Sequence, residues 1–248
     1  MKLSVLLPVK DQSAKLLANL KEHILPYFDH SGVMYDVLIC YDASNEEERR
    51  IMEEGVKELP AQVRLLPYED HRGKGHNVKK AATYSDADYV LFMDADLATD
   101  LSIFDLMKVD LGKVDCLIAS RDLKESVYRI KQPLLRRINH VGCRKVVAFK
   151  FHMKSIRDTQ CGYKCLRTVL AKEYAKRSIV DGFAFDVEML YFLFLNGYSI
   201  KEYPAIWSDD PDSSVSGVFK TAKRFYGDLS RIKKNKAAYI MKPEERPC

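Results

Sequence analysis

Apolar runs and segments of helical period alternate through the first half of this chain. Residues 3–9 are apolar almost throughout and predict a strand. Residues 14–28 then place Leu16, Leu17, Leu20, Ile24 and Leu25 at the three- and four-residue spacing of an amphipathic helix. The alternation continues with a strand at 35–41, a charged helix at 46–59 stopped by Pro60, and a strand at 63–66. A glycine-led helix at 73–84, a strand at 89–93, a helix from Ser102 through about 111 and a strand at 116–119 follow. Strands alternating with helices predict an α/β fold: a mostly parallel, doubly wound, Rossmann-like sheet with helices on both faces.

After Ser120 the rhythm changes. Residues 129–151 predict one long helix, with Ile130, Leu134, Ile138, Val141, Ala148 and Phe149 toward one side. Residues 184–195 predict a strongly apolar helix with two acids, Asp186 and Glu188, for which capping or pairing with an arginine would account. Residues 200–207 read as extended, with Pro204 favouring a sheet edge and Trp207 a core position. Residues 209–214 read as a loop and 217–236 as a basic terminal helix. No repeat and no Gly/Ser/Pro-rich linker divides the chain. One catalytic domain over 1–215 is expected, followed by a basic helix and tail over 216–248.

The longest unbroken apolar run, Met189 to Leu195, is far below the roughly 20 residues a membrane span needs. No transmembrane segment is expected. The first apolar stretch is interrupted by Pro8 and ends at Lys10-Asp11, which favours a strand over an export signal. The expected location is cytoplasmic, peripheral on the cytoplasmic membrane face. With 47% hydrophobic and 30% charged residues, the 248-residue chain is neither fibrous nor disordered. Its six cysteines form no CxxC pair, and its six histidines form no HExxH, so neither a disulfide framework nor a zinc site is expected.

The net charge of +5 is unevenly placed. Between Arg129 and Arg157 nine lysines and arginines occur with no acid among them. Seven more lie between Lys220 and Lys236, against the single acid Asp228. A solvated helix face accounts for either block alone. Together they suggest an anionic partner.

Ligands of open parallel sheets bind at the carboxyl ends of the strands. Lys10-Asp11, Asp42 and Asp94-Ala-Asp96 all fall at such ends. Two carboxylates at i and i+2 in a turn can present oxygens to one hard cation, Mg²⁺ or Mn²⁺, which fills its other positions with diphosphate oxygens and water. Surface turns are rich in Asp, so the pair gains weight only from its place after the apolar strand. Gly73-Lys-Gly75 lacks the spacing of a Walker phosphate loop.

The assembly resembles the inverting GT-A glycosyltransferases of glycosyltransferase family 2. It is most similar to the branch that makes polyprenyl- and dolichyl-phosphate sugars. The matching pieces are Leu3-Ser-Val-Leu-Leu-Pro-Val, Asp36 through Ser44, Gly73-Lys-Gly75, Asp94-Ala-Asp96, Ala119-Ser-Arg121, Asp158-Thr-Gln-Cys-Gly and Ala184-Phe-Asp-Val-Glu188. They occur in the family's order and cover residues 3 to about 215. The resemblance implies that Pro8, Val9, Asp11, Asp42, Lys74 and Asp94 bind the nucleotide sugar, and that Asp94 and Asp96 hold Mg²⁺ or Mn²⁺. It implies catalytic roles for Arg121, Arg137, Asp158 and Gln160, the arginines lying beside the acceptor phosphate. Asp11-Gln12 stands where the family has Asn-Glu, Tyr41 replaces the first acid of its Asp-Asp pair, and Ala119 replaces the glycine of Gly-Ser-Arg.

The implied reaction moves a sugar from a nucleotide-sugar donor to a polyprenyl phosphate, with UDP-glucose favoured and GDP-mannose open. An alcohol acceptor needs a general base. A phosphomonoester has a second pKa of about 6 and is already ionised near neutrality. Its demand is for positive charge, which arginines meet with bidentate geometry. The acid-free basic run fits that demand. The rival readings are an inverting transferase with a saccharide hydroxyl acceptor, and a non-catalytic subunit that binds membrane or nucleic acid. The expected partners are the donor, the polyprenyl phosphate, and an anionic membrane surface or a membrane subunit, with no nucleic acid.

Overall fold

A computed structural model describes residues 1–42, 45–67, 72–130, 134–208 and 218–247, and for residues 134–139 and 218–221 the backbone alone. The expected loop at 209–214 lies outside the described residues. The first half contains β1 (Lys2–Lys10), α1 (Ser13–Asn19), α2 (Leu25–Asp29), β2 (Met34–Asp42), α3 (Glu46–Val56), β3 (Val63–Leu65), α4 (Lys74–Tyr84), β4 (Tyr89–Met93), α5 (Ile103–Met107) and β5 (Cys116–Ser120). The second half contains β6 (Val127–Ile130), α6 (Leu134–Phe151), β7 (Tyr163–Arg167), α7 (Thr168–Arg177), α8 (Phe185–Leu195), β8 (Ile200–Pro204), β9 (Ile206–Ser208), α9 (Val218–Lys234) and α10 (Lys236–Tyr239).

Seven strands form one sheet in the order β3-β2-β1-β4-β7-β5-β8, and β6 pairs with β9 in a small second sheet. All pairings in the large sheet are parallel except those of β7, which runs antiparallel between β4 and β5. Alternation sorts the side chains to two faces. Leu3, Val5, Leu7 and Val9 join one apolar layer under α1, α2, α3 and α5, while Leu6, Val90 and Phe92 join the other under α4, α7, α8 and α9.

Local chemistry explains the helix ends that matter. Asn45 caps α3 by accepting from the Glu48 amide at 2.9 Å, and three glutamates occupy the first turn, where the helix dipole favours negative charge. The predicted helix over 14–28 passes through a π-turn at Leu20–Ile24 just before Pro26, as expected where a proline removes a backbone donor. The predicted helix over 129–151 is shorter: residues 127–130 form β6 instead, and α6 starts at Leu134, directly after Pro133. Pro204 does lie on an edge strand, β8.

The basic helix α9 packs on α6 and α8. Its Phe225, Leu229 and Ile232 are buried in the main core, and Cys143 of α6 meets the Tyr226 hydroxyl at 3.4 Å. Among the described residues no helix is long and apolar enough to cross a membrane.

Candidate functional site

The strand order reverses at β1, with β2 on one side and β4 on the other. Pairing of β1 with β2 runs to Lys10–Asp42, but pairing with β4 stops at Leu6–Phe92. The carboxyl ends of β1 and β4 therefore part, as at the ligand-binding switch point of open α/β sheets. Pro8 and Val9 are buried in the last part of β1, and Asp42 is buried at the end of β2. The Asp11 amide donates to the Asp42 carbonyl at 2.9 Å and closes this corner. Asp11 and Gln12 have φ of 53° and 57°, and Leu97, after the acidic turn, has 58°. Left-handed backbone costs a residue with a Cβ about 1–2 kcal/mol, and such strain gathers at functional turns. Tyr41 turns into the protein instead, sharing a 2.7 Å hydrogen bond with Ser13, which donates to Glu48.

The acidic turn after β4 is held from three sides. The Asn19 amide nitrogen donates to the Ala95 carbonyl at 2.8 Å. The Asp94 amide donates to the Gly162 carbonyl at 3.0 Å, and the Ser208 amide to the Ala98 carbonyl at 2.8 Å. The Asp94 carboxylate lies on Gly162, where an added Cβ would sit 1.9 Å from Oδ2, so any side chain at 162 would displace that carboxylate. Lys74 donates to Asp94 Oδ1. Burial works against the Lys74 ammonium, but Asp94, Asp186 and Asp96 outweigh it and hold its pKa above the ordinary lysine value.

The loop from Asp158 to Gly162 links this turn to a second group of charges. Asp158 is 1% exposed and takes a bidentate pair from Arg121, Nε to Oδ2 at 2.7 Å and Nη2 to Oδ1 at 3.0 Å. It also accepts from the backbone amides of Arg121, Gln160 and Cys161. Burial would raise this carboxyl, yet Arg121 holds it well below the usual carboxylate range. The guanidinium carbon of Arg121 lies 4.9 Å from the Trp207 ring centroid, which fixes its plane. Trp207 is a core residue, as expected, with this cation on its face.

The structure thus brings together Lys74, Asp94, Asp158, Gln160 and Arg121, with Asp96 in the same turn as Asp94. Pro8, Val9, Asp11 and Asp42 share the same sheet end. The Arg137 side chain lies outside the described residues. Its helix is pinned one turn later: His140 Nε2 meets Asp122 Oδ2 at 2.9 Å, and Arg144 pairs with Asp122 at 3.3 Å. The sequence reading missed Asp122, His140 and Arg144, although Asp122 follows Arg121 and His140 is three residues from Arg137. Asp122, His140 and Asp158 also converge, with one donor atom each within 4.8 Å. The arginines on both carboxylates make this a closed ion-pair network. Among the described residues Asp186 pairs with Lys164 and not with an arginine. Glu188 accepts from Tyr174, Ser178, Ile179 and Tyr239.

The depressed pKa of Asp158 has a consequence for stability. Its pairing stabilises the fold above the unfolded-state value near 4, and the contribution is lost as pH falls below that value toward the folded one. The stability gap between wild type and Asp158→Asn is therefore expected to be constant from pH 8 to 5 and to narrow below about pH 4. Chemical denaturation across that range measures it, and a gap that widens on acidification contradicts the pairing.

The chain matches the family model described as Glycosyl transferase family 2 over residues 4–155. It is 28% identical to a dolichyl-phosphate beta-glucosyltransferase of Dictyostelium discoideum, over 93% of this chain and 73% of that protein. It is 26% identical to the protein of the same name from Saccharomyces cerevisiae, over 89% of this chain and 71% of that one. Among solved structures, mannosyl-3-phosphoglycerate synthase from Rubrobacter xylanophilus superposes with a TM-score of 0.69 at 14% identity, covering 100% of this chain and 79% of that one. Glucosyl-3-phosphoglycerate synthase from Mycobacterium tuberculosis, in complex with Mn²⁺, UDP and phosphoglyceric acid, gives 0.64 at 14% identity over 98% and 80%.

Proposed function

The chain belongs to glycosyl transferase family 2 and has the GT-A fold, and on that premise we propose that it is an inverting, metal-dependent hexosyltransferase that moves glucose from UDP-glucose to a polyprenyl or dolichyl phosphate. The observation that carries the choice of acceptor is the state of Asp158. This buried acid gives both oxygens to Arg121 and is held ionised, so it is a poor base and a good anchor. A phosphate acceptor needs no base. It needs cations in fixed positions, and Arg121 is one. Of its five N–H donors, Asp158 engages one on Nε and one on Nη2; three stay directed away from that pair.

In the proposed reaction a phosphate oxygen of the acceptor attacks the anomeric carbon. The bond from that carbon to the donor diphosphate breaks, the nucleoside diphosphate leaves with the electron pair, and the configuration inverts. Arg121 and the basic start of α6, which carries Arg137, hold the acceptor phosphate against its repulsion from the donor. Lys74 faces the diphosphate, and Pro8, Val9, Asp11 and Asp42 border the nucleoside. Asp94 and Asp96 are hard oxygen donors in one turn with a lysine counter-ion, a fit for Mg²⁺ or Mn²⁺. A divalent cation bound there would neutralise the leaving diphosphate. Names of relatives support the glucosyl choice, and UDP and Mn²⁺ complexes of structural neighbours support the donor and metal. The test is transfer of label from a panel of nucleotide sugars to a short polyprenyl phosphate with Mg²⁺ or Mn²⁺. UDP-glucose is expected to lead, and GDP-mannose leading would overturn the donor assignment.

One observation favours a hydroxyl acceptor: His140, held by Asp122, has the chemistry of a base. His140→Gln separates the readings. Transfer to lipid phosphate is expected to survive within several-fold, whereas a catalytic base would cost roughly a hundredfold or more.

Membrane contact falls to α6. Phe225 and Leu229 of the basic helix α9 are core residues, and the side chains of Val218 and Phe219 lie outside the described residues. On α6, Phe149 is 79% exposed and Val141 and Val146 are partly so, beside Lys145 and Lys150. Apolar insertion adds to the roughly 1 kcal/mol that each basic residue gains at an anionic surface. Sedimentation with anionic vesicles is expected to fall several-fold for Phe149→Ser and with added salt; equal binding by the variant would move the contact elsewhere.

A further inference from the structure

Two sequence strings that lie far apart in the chain form one packed unit beneath the acidic turn. A Cβ on Gly73 would lie 2.6 Å from the Asp181 carbonyl oxygen, and one on Gly75 would lie 2.5 Å from Phe185 Cβ. The His76 amide donates to the same Asp181 carbonyl at 3.2 Å. The glycines on either side of Lys74 thus let its backbone sit against the start of α8, while its ammonium reaches Asp94. The first turn of α8 carries Asp186, 5% exposed, which pairs with Lys164, 0% exposed, near the start of β7. Lys164 also donates to the Cys161 carbonyl, next to the glycine on which Asp94 rests. Asp186 follows Phe185, on which the residue after Lys74 packs, so the Lys164–Asp186 pair and Lys74 lie across one contact, and Asp94 and Asp186 both favour the Lys74 ammonium. The signs therefore alternate from core to site: Lys164, Asp186, Lys74, Asp94.

We propose that Lys164 and Asp186 are positioning residues of the donor half, a buried pair that holds Lys74 between two carboxylates so that it can pass from Asp94 to the donor diphosphate when a divalent cation takes Asp94 and Asp96. The inference rests on the donor site proposed above. A half-buried cation with one counter-ion does not release it cheaply. With Asp186 behind it, Lys74 keeps a partner when Asp94 turns to the metal, and metal and lysine do not compete for the same carboxylate. The pair itself touches neither metal nor sugar.

Lys164→Met/Asp186→Leu tests this, because apolar residues of similar volume commonly replace a buried ion pair without loss of stability. Binding of Mn²⁺ with UDP is measured at equilibrium by calorimetry, and steady-state constants are measured alongside. The variant is expected to bind Mn²⁺ at least tenfold more weakly and to raise the donor KM by a similar factor, with the acceptor KM unchanged within twofold. Gly75→Ala, which pushes Lys74 from Phe185 while leaving the pair intact, is expected to show the same donor-side loss and serves if the double variant does not fold. Wild-type Mn²⁺ affinity and donor KM in a folded double variant would overturn the positioning role alone. Wild-type protein that binds no Mn²⁺ with UDP would overturn the donor site and this role with it.

Discussion

Asp96→Ala is expected to remove nearly all sugar transfer and to leave the fold intact. Asp96 sits in a turn beyond β4, half-buried, and its Oδ1 accepts from the Ala98 amide of the same turn at 3.0 Å. The turn is held mainly by backbone bonds from Asp94, Ser208 and Asp100, which the substitution leaves in place. Loss of a metal ligand that neutralises the leaving diphosphate costs several kcal/mol of transition-state stabilisation, roughly a thousandfold in rate at about 1.4 kcal/mol per decade. Initial rates with Mn²⁺, beside a thermal melt within a few degrees of wild type, check it. Activity within threefold of wild type, or full activity in excess EDTA, would remove the metal from this turn.

Arg121→Ala is expected to damage both fold and function. It leaves Asp158 buried without the guanidinium that holds its charge. Breaking a buried pair from one side costs about 3–5 kcal/mol, which for a chain of this size lowers the melting temperature by roughly 10 °C. It also removes a charge-assisted phosphate contact worth about 1.5–3 kcal/mol. Arg121→Lys keeps a charge but cannot span both oxygens of Asp158, so it is expected to recover part of the stability and less of the acceptor use. Kinetics with varied lipid phosphate, at saturating donor, separate the two effects. A variant that loses donor affinity and keeps its acceptor KM would put Arg121 on the other phosphate.

The first five strands were legible because each is an apolar run between helix-period segments, and β4 begins and ends where the pattern says. β7 was not legible. Its second residue, Lys164, interrupts the apolar pattern, and its antiparallel insertion between β4 and β5 follows from no alternation rule. The start of α6 was misplaced because Val127–Ile130 continues its apolar pattern, although Pro133 marked the boundary. α9 is amphipathic in sequence, and such a face fits a membrane or a protein core equally well; its packing on α8 decides for the core.

The site was legible where motif residues lie close in sequence, as at Asp94-Ala-Asp96 and Asp158 to Gly162. The contact between these two strings, Asp94 on Gly162, was not, because it depends on β7 lying beside β4. The Asp122–His140–Arg144 clamp was hidden for a similar reason: its members meet only when α6 folds back over the end of β5. The pair Lys164–Asp186 was hidden because a lysine in a strand core is rare enough that pattern reading assigns it to the surface.

The claim at the centre is that the nucleophile is a phosphate oxygen, already ionised, with Asp158 anchoring Arg121 and not acting as a base. It is tested most directly with one donor and two acceptors of the same polyprenyl chain, one ending in phosphate and the other in a hydroxyl, assayed from pH 5 to 8. The expected result is transfer to the phosphate alone, with kcat/KM for the acceptor rising through about pH 6 as the phosphate loses its second proton. Transfer to the polyprenol or to a soluble saccharide, with none to the polyprenyl phosphate, would contradict it.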